Sequence, residues 1–489
     1  MHWGGDMAIH HRNTLTRRRF VQSTAVSSLA LAGLGGVGQA QAAKPNIVFI
    51  MADDLGYADV SSYGARDYTT PNIDRLALEG LRFTQAYSNS ANCSPTRTAL
   101  ITGRYQMRLP LGLEEPLSDA APPSIGLPPS HPTLPSILKK AGYGTTLVGK
   151  WHLGYLPNFS PLKSGYDHFF GIFAGSADYF NHGSKSPIPL YEQEVPVDRI
   201  GYMTNLLGER AVQTVERYAR SKEPFLLSLH FTAPHWPWEG PDDEAESKRI
   251  NGNIRHFDGG TQKTYAAMVQ SLDANIGRVL QAIDINGLAR DTIVIFTSDN
   301  GGERFSLTWP FSGMKSELLE GGLRIPAIVR WPGLVPAGAV SEQVMISMDW
   351  MPTLLAAAGT APDPAFPPDG ENLLPIVTGG ASPHPRKLYW RFKAAQQRAL
   401  REDDWKYLKI AGNEFLFDVM KDPRERGNLK ERHKDVFERL KQDWDAWSAS
   451  MLPERERPAA YSNPDNLLAD HYGAKNPLSP ELGGPAAQR

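Results

Sequence analysis

The chain has 489 residues, 41% hydrophobic and 21% charged, a composition that supports a large packed core and excludes wholesale disorder. With 51 basic against 53 acidic residues the formal net charge is −2, which excludes a nucleic-acid surface spread over the whole molecule and leaves room only for a local cationic pocket. The length predicts more than one domain.

Residues 1–42 begin with charged and polar positions, pass through "TRRRFVQ" and the soft apolar run "STAVSSLALAGLGGVG", and end at "AQA". That order predicts an export signal cleaved after Ala42, and the arginines before Phe20 point to the twin-arginine export machinery. A basic arm followed by a poor buried helix is the plain alternative. The apolar run is too short and too glycine-rich to span a bilayer comfortably, so the product is expected to be periplasmic or secreted, without stable membrane insertion.

Next comes "PNIVFIMADDLGY", an apolar run that reads as a buried strand ending in two carboxylates. Strand-like runs recur at "GTTLVGKWHLG", "EPFLLSLHFTAPH", "DTIVIFTSDNGG" and "RIPAIVRWPG". Between them, helical spacing appears at residues 71–80, 95–102, 134–141, 203–218, 261–283 and 349–358. The alternation predicts an α/β fold with a mostly parallel central sheet flanked by helices, in which ligands bind beyond the carboxyl ends of the strands. Residues 105–133 and 155–200, rich in Gly, Pro and Ser, read as long surface loops around a site mouth. After the Pro-rich "APDPAFPPDG", the segments "KLYWRFK", "WKYLKI" and "NEFLFDV" predict a smaller antiparallel sheet closed by a Trp-bearing helix. The expected organisation is an export signal over 1–42, a catalytic α/β domain over 43–380, a smaller α+β subdomain over 381–452 and a Pro/Gly-rich tail over 453–489.

Asp53 and Asp54 are adjacent, so their side chains diverge unless the chain turns at the strand end, where Gly56 permits it. Asp299 and Asn300, followed by two glycines, repeat the arrangement. Three carboxylates and one amide oxygen are a hard-oxygen set suited to calcium or magnesium. Either pair alone reads equally well as a helix cap or an Asx turn. Carboxylates this close need a cation, or one of them takes up a proton.

Cys93 is the only cysteine, so no intrachain disulfide forms. Pro95 fits a first helical turn with Ser94 or Cys93 just outside it, a position where helix amides favour an anion and lower a thiol's pKa. Arg97, four residues on, shares that side of the turn. A small buried hydrophobe beside an ordinary surface arginine fits the same residues.

"CSPTRTALITG" resembles the sulfatase signature, Cys-x-Pro-x-Arg, in which the cysteine is converted to formylglycine. "NIVFIMADDLGY", "GYGTTLVGKWHLG", "GYDHFFG", "FTAPHWPW", "TSDNGG" and "GMKSELLEGGLRIP" resemble the remaining blocks of that family, in order, over most of residues 44–350. The resemblance is to the formylglycine-dependent sulfatases of the alkaline-phosphatase-like superfamily, in particular the arylsulfatase and N-acetylgalactosamine-4-sulfatase-like members. It implies that Asp53, Asp54, Asp299 and Asn300 bind a divalent cation, usually calcium, with magnesium the other choice. Cys93, modified by a formylglycine-generating maturation enzyme, then acts with Arg97, Lys150, His152, His235 and Lys315. Ser176 matches a contributing serine loosely, and Ser316 stands where glycine is common.

The implied chemistry explains the residue types. A sulfate monoester repels hydroxide, so the site must neutralise its oxygens and present a nucleophile in line with the ester bond. A hydrated aldehyde carries two hydroxyls on one carbon: one attacks sulfur, and deprotonation of the other, assigned to His152, expels sulfate and restores the aldehyde. The leaving alcohol needs a proton, for which His235 is the first candidate. Trp236 and Trp309 are placed to stack on a sugar or aryl group, or simply to pack. The expected activity is hydrolysis of aryl or carbohydrate sulfate esters. A phosphomonoester or phosphonate monoester hydrolase of the same superfamily, or a non-catalytic metal-dependent glycan-binding protein, are the alternatives.

Overall fold

The computed structural model describes residues 44–183, 190–254 and 259–454. The predicted export signal lies outside them, as does the tail from residue 455. Among the described residues no helix is long and apolar enough to cross a membrane.

The centre of the molecule is a ten-stranded sheet. Asn46–Ala52 pairs in parallel with Phe225–His230 on one side and Thr292–Ser298 on the other, and Gly144–Lys150 continues the parallel run between Phe225–His230 and His168–Ile172. The first strand shows why such runs carry apolar residues on both faces. Val48 and Ile50 face one core layer with the helices Met203–Ser221 and Gln262–Ile285, whereas Ile47, Phe49 and Met51 face the opposite layer with Cys93–Thr102, Leu134–Lys140 and Trp350–Ala357. A strand covered on both faces cannot alternate polar with apolar. Each buried Val, Leu or Ile contributes about 1.5–3 kcal/mol relative to exposure.

The margins differ from the sequence reading. Ala327–Arg330 runs antiparallel to Thr292–Ser298, because the connection between them stays at one end of the sheet and provides no crossover. Residues 155–200 are not merely loops: His168–Ile172, Leu190–Glu192 and Val195–Val197 extend the sheet to its edge. Nor do residues 105–133 lie wholly on the surface, since Leu111, Leu117 and Leu127 are buried in the core.

The C-terminal sheet is an antiparallel meander of Lys387–Phe392, Gln397–Glu402, Trp405–Ile410 and Asn413–Asp418, with Lys434–Ala449 packed on its outer face. Its second strand escapes pattern reading because "QRALRE" offers only two apolar residues. Its buried Arg401 is satisfied instead by Tyr87 and Gln85. The inner face shares one continuous core with the main sheet's loops, where Leu388, Trp390 and Phe417 pack with Tyr87, Leu318 and Leu323.

Candidate active site

Register brings the two acidic pairs together. Ala52 lies opposite Ser298 on adjacent parallel strands, so the residues that follow each strand emerge side by side. The chain then turns at Asp54 itself, whose φ of 62° is left-handed, rather than at Gly56. With this turn two successive side chains face one point, which a continuing strand forbids. The Asp54 amide donates to Asp299 Oδ1 at 3.2 Å, and the Leu55 amide to Ser298 Oγ at 3.1 Å. Asn300 Nδ2 donates to Asp54 Oδ1 at 2.8 Å, while its Oδ1 is buried without a hydrogen-bond partner. Gly301 is required by close approach, since a Cβ there would sit 2.0 Å from the Gly321 carbonyl oxygen.

The helix Cys93–Thr102 points its first turn at this cluster. Asn92 is its cap, with Oδ1 accepting from the Cys93 amide at 2.9 Å, so the helix begins at Cys93 and not at Pro95. Cys93 Sγ lies 3.6 Å from Asp53 Oδ1 and 3.9 Å from Asp54 Oδ1. Asp53, Asp54, Cys93 and His235, all buried, each present one ligand atom within 4.8 Å of the others, a group capable of holding a metal ion.

Three cations close the ring. Arg97 donates through Nε and Nη2 to Asp299 Oδ2 at 3.1 and 2.8 Å, Lys150 Nζ to Asp53 Oδ2 at 2.6 Å, and Lys315 Nζ to Asp54 Oδ2 at 2.6 Å. Three carboxylates thus meet three fixed positive charges. A divalent cation added to this balance leaves a net positive pocket, which is what a sulfate ester anion requires.

Burial dominates the electrostatics of the acidic residues. Burial, with the charge of Asp299 second, pushes Asp53 up to about 8 even though Lys150 and Arg97 oppose it. Burial also acts against Asp299, but Arg97 and Lys150 outweigh it and keep that carboxyl below its ordinary value. A protonating Asp53, an orphaned amide oxygen on Asn300 and the paired carboxylates of Asp53 and Asp54 fit a hard divalent ion. The thiol departs from expectation: burial pushes Cys93 well above the ordinary value, and Lys150 and Lys315 do not compensate. An unmodified Cys93 is a poor nucleophile here.

The histidines have defined tautomers. His152, with φ of 55°, places Nε2 at 2.9 Å from the Leu117 carbonyl oxygen, which can only accept, so Nε2 bears the proton and the buried, unpartnered Nδ1 keeps its lone pair. His235 Nδ1 likewise donates to the Trp236 carbonyl at 2.6 Å, leaving Nε2 3.5 Å from Asp54 Oδ2. Burial first, then neighbouring lysines, pull both rings well below the ordinary histidine value.

Asp53, Asp54, Asp299, Asn300, Cys93, Arg97, Lys150, His235 and Lys315 come together here, and His152 lies within electrostatic reach of Lys150, Arg97 and His235. Ser176 is half-buried and adjoins Gly175, where an added Cβ would fall 2.5 Å from the His152 ring. Trp236 packs on His235 with ring centroids 4.4 Å apart. Trp309 is 61% exposed, on a strand-free segment anchored by Leu307 and Ser306 to Asp59. Pattern reading missed Asn92, Ser298, Glu303 and the Leu117 carbonyl. The first two are small polar residues flanking a motif. Glu303, 3.8 Å from Lys315, follows the glycine pair and could have been flagged as a further carboxylate. A backbone carbonyl leaves no trace in sequence.

Comparison with known proteins decides the family. Residues 45–360 match the family model described as Sulfatase, and residues 314–449 match that described as N-sulphoglucosamine sulphohydrolase, C-terminal. The chain belongs to the sulfatase family. This sulfatase is 35% identical over 386 residues to N-acetylgalactosamine-6-sulfatase of Canis lupus familiaris, covering 74% of the chain and 71% of the relative. It is 31% identical over 481 residues to arylsulfatase J of Mus musculus, covering 86% and 78%. Among solved structures, Ps i-CgsB superposes with a TM-score of 0.77 at 31% identity, covering 87% of this chain and 97% of that one, and has also been solved with k-i-k-neocarrahexaose. The sulfatase acts on sulfate esters through a formylglycine-type site built around Asp53, Asp54, Cys93 and His235.

Proposed function

We propose that this sulfatase removes sulfate from a carbohydrate, accepting aryl sulfates because a phenolic oxygen leaves more readily. The names of its relatives and the oligosaccharide bound to Ps i-CgsB support a glycan substrate. The observation that carries the reading is the convergence of the lone cysteine, buried and poorly acidic, with two strand-end acidic pairs on one point.

In this reading a maturation enzyme converts Cys93 to formylglycine, and Asp53, Asp54, Asp299 and Asn300 hold calcium, with magnesium the competing ion. Once bound, that ion supplies Lewis-acid stabilisation of the sulfate oxygens. Arg97 orients Asp299 and adds positive field near residue 93. Lys150 and Lys315 neutralise sulfate oxygens. Nδ1 of His152, fixed by the bond from Nε2 to Leu117, takes the proton whose loss releases sulfate from residue 93. The proton for the departing alcohol comes from the side of the site occupied by His235 and Lys315. Ser176, Trp236 and Trp309 form the mouth that meets the organic part of the ester. Export by the twin-arginine route would carry the already folded protein.

The test compares turnover of matched sulfate and phosphate esters, aryl and saccharide, by protein purified from its native host, together with the mass of the peptide containing residue 93. Sulfate preference with an aldehyde-bearing peptide is expected. Preference for phosphate, or activity from a wholly unmodified peptide, overturns the reading.

A further inference from the structure

Ser316 adopts a left-handed backbone, φ 71°, directly after Lys315. Such a conformation disfavours a residue with a Cβ, so something outside the turn must maintain it. Four hydrogen bonds do so. The Ser316 amide donates to the Ala91 carbonyl at 2.8 Å, and Asn92 Nδ2 donates to Ser316 Oγ at 3.3 Å. The other two come from one residue of the C-terminal sheet: Gln397 Nε2 donates to the Ser316 carbonyl at 2.8 Å, and its Oε1 accepts from the Leu318 amide at 2.7 Å. Gln397 is 1% exposed and its Nε2 also donates to the Ala394 carbonyl at 3.1 Å, so its amide is pinned at both ends.

The geometry points to Gln397 as a positioning residue for catalysis: its side-chain amide clamps the turn at Ser316–Leu318 so that Lys315 reaches Asp54 in the active site. This inference rests on the assignment of Lys315 to the catalytic machinery. The physical logic is that of a bidentate staple. One amide satisfies a carbonyl and an amide two residues apart, which fixes the turn's rotation and hence the direction in which Lys315 leaves it. Asn92 joins the same turn to Cys93 through its cap, so the turn that Gln397 holds adjoins both Lys315 and the start of the catalytic helix. A second anchor lies just beyond the turn, where Lys406 of the same sheet is within 2.9 Å of Glu320 and 2.8 Å of Glu425, all three side chains fully buried. The C-terminal sheet is thereby part of the catalytic apparatus without touching substrate.

The experiment uses the full-length, matured enzyme and measures kcat/KM on an aryl sulfate. Gln397→Met removes both clamp bonds at similar volume and is expected to lower kcat/KM about 10–100-fold. Adding Ser316→Gly, which accepts the left-handed turn without a clamp, is expected to restore activity to within about threefold of wild type. Leu440→Ala, a buried change on the outer face of the same sheet, supplies the control for general destabilisation. Should Gln397→Met not fold, Gln397→Glu keeps the acceptor for Leu318 and loses the donor to Ser316, and its deficit is expected to show the same rescue. A Gln397 effect no larger than that of Leu440→Ala at equal thermal midpoint, or failure of Ser316→Gly to restore activity, overturns the proposal. Full activity of Lys315→Met alone overturns instead the catalytic assignment on which it rests.

Discussion

Arg97 and Asp299 meet at 2.8 Å with their side chains almost wholly excluded from water, joining the helix that begins at the cysteine to the strand end that carries the second acidic pair. The carboxylate does two things at once: it balances a buried guanidinium through Oδ2 and accepts from the Asp54 amide through Oδ1. Removing it is therefore not a clean test of metal binding. Asp299→Ala is expected to strip metal and turnover together and also to cost about 3–5 kcal/mol of stability, because Arg97 is left buried and unpaired. Metal content and urea unfolding on the same sample check both; full metal retention removes Asp299 from the ligand set.

Asn300→Ala is the cleaner variant. It deletes the orphaned Oδ1 while leaving every charge pair intact, at the loss of the bond from Nδ2 to Asp54. The expected outcome is weaker metal affinity, about 10-fold or more, with turnover recovering as calcium is raised. Turnover that ignores added metal contradicts a ligand role.

Cys93→Ala is expected to abolish turnover, by about 10⁴-fold or more, and to change stability by about 1 kcal/mol or less. Both residues are small, and the Asn92 cap bonds to the backbone amide rather than to the thiol. Kinetics and thermal melts on the variant decide it, since measurable turnover refutes covalent catalysis at this position.

For His152→Ala the informative readout is a trapped species. If Nδ1 removes the proton that releases sulfate, kcat falls about 10²–10⁴-fold while sulfate remains attached to residue 93 after mixing with excess substrate. Intact mass shows the adduct directly. Loss of activity with no adduct would move the role of His152 to an earlier step.

Away from the metal cluster, burial pushes Glu115 up to about 8 from its ordinary 4.5, although the Lys393 amide donates to it at 2.7 Å. The folded carboxyl therefore remains protonated where the unfolded one is charged. Its contribution to stability is complete below pH 4.5 and is lost as pH rises through about 8. Glu115→Gln removes that titration, so the variant should gain on wild type by a few kcal/mol between those limits. Parallel slopes of urea midpoint against pH for the two proteins would show that Glu115 does not titrate as proposed.

The chain order of strands, helices and motif blocks was legible from residue types alone. A strand covered on both faces is apolar along its length, as residues 47–52 are, and the motif blocks follow one another in the order the family resemblance requires. Sequence by itself therefore pointed to the residues that cluster and to a hard-oxygen donor set, and the resemblance of its motif blocks pointed to a sulfate ester. Only the tertiary structure decided that Asp54 supplies the turn, that burial pushes the Cys93 thiol upward, that a carbonyl of an apparent surface loop sets the tautomer of His152, and that a C-terminal glutamine grips the turn behind Lys315. The reason is the same in each case. A pKa, a tautomer and a strained φ depend on what lies within a few ångströms, and those neighbours come from parts of the chain whose separation no local pattern encodes.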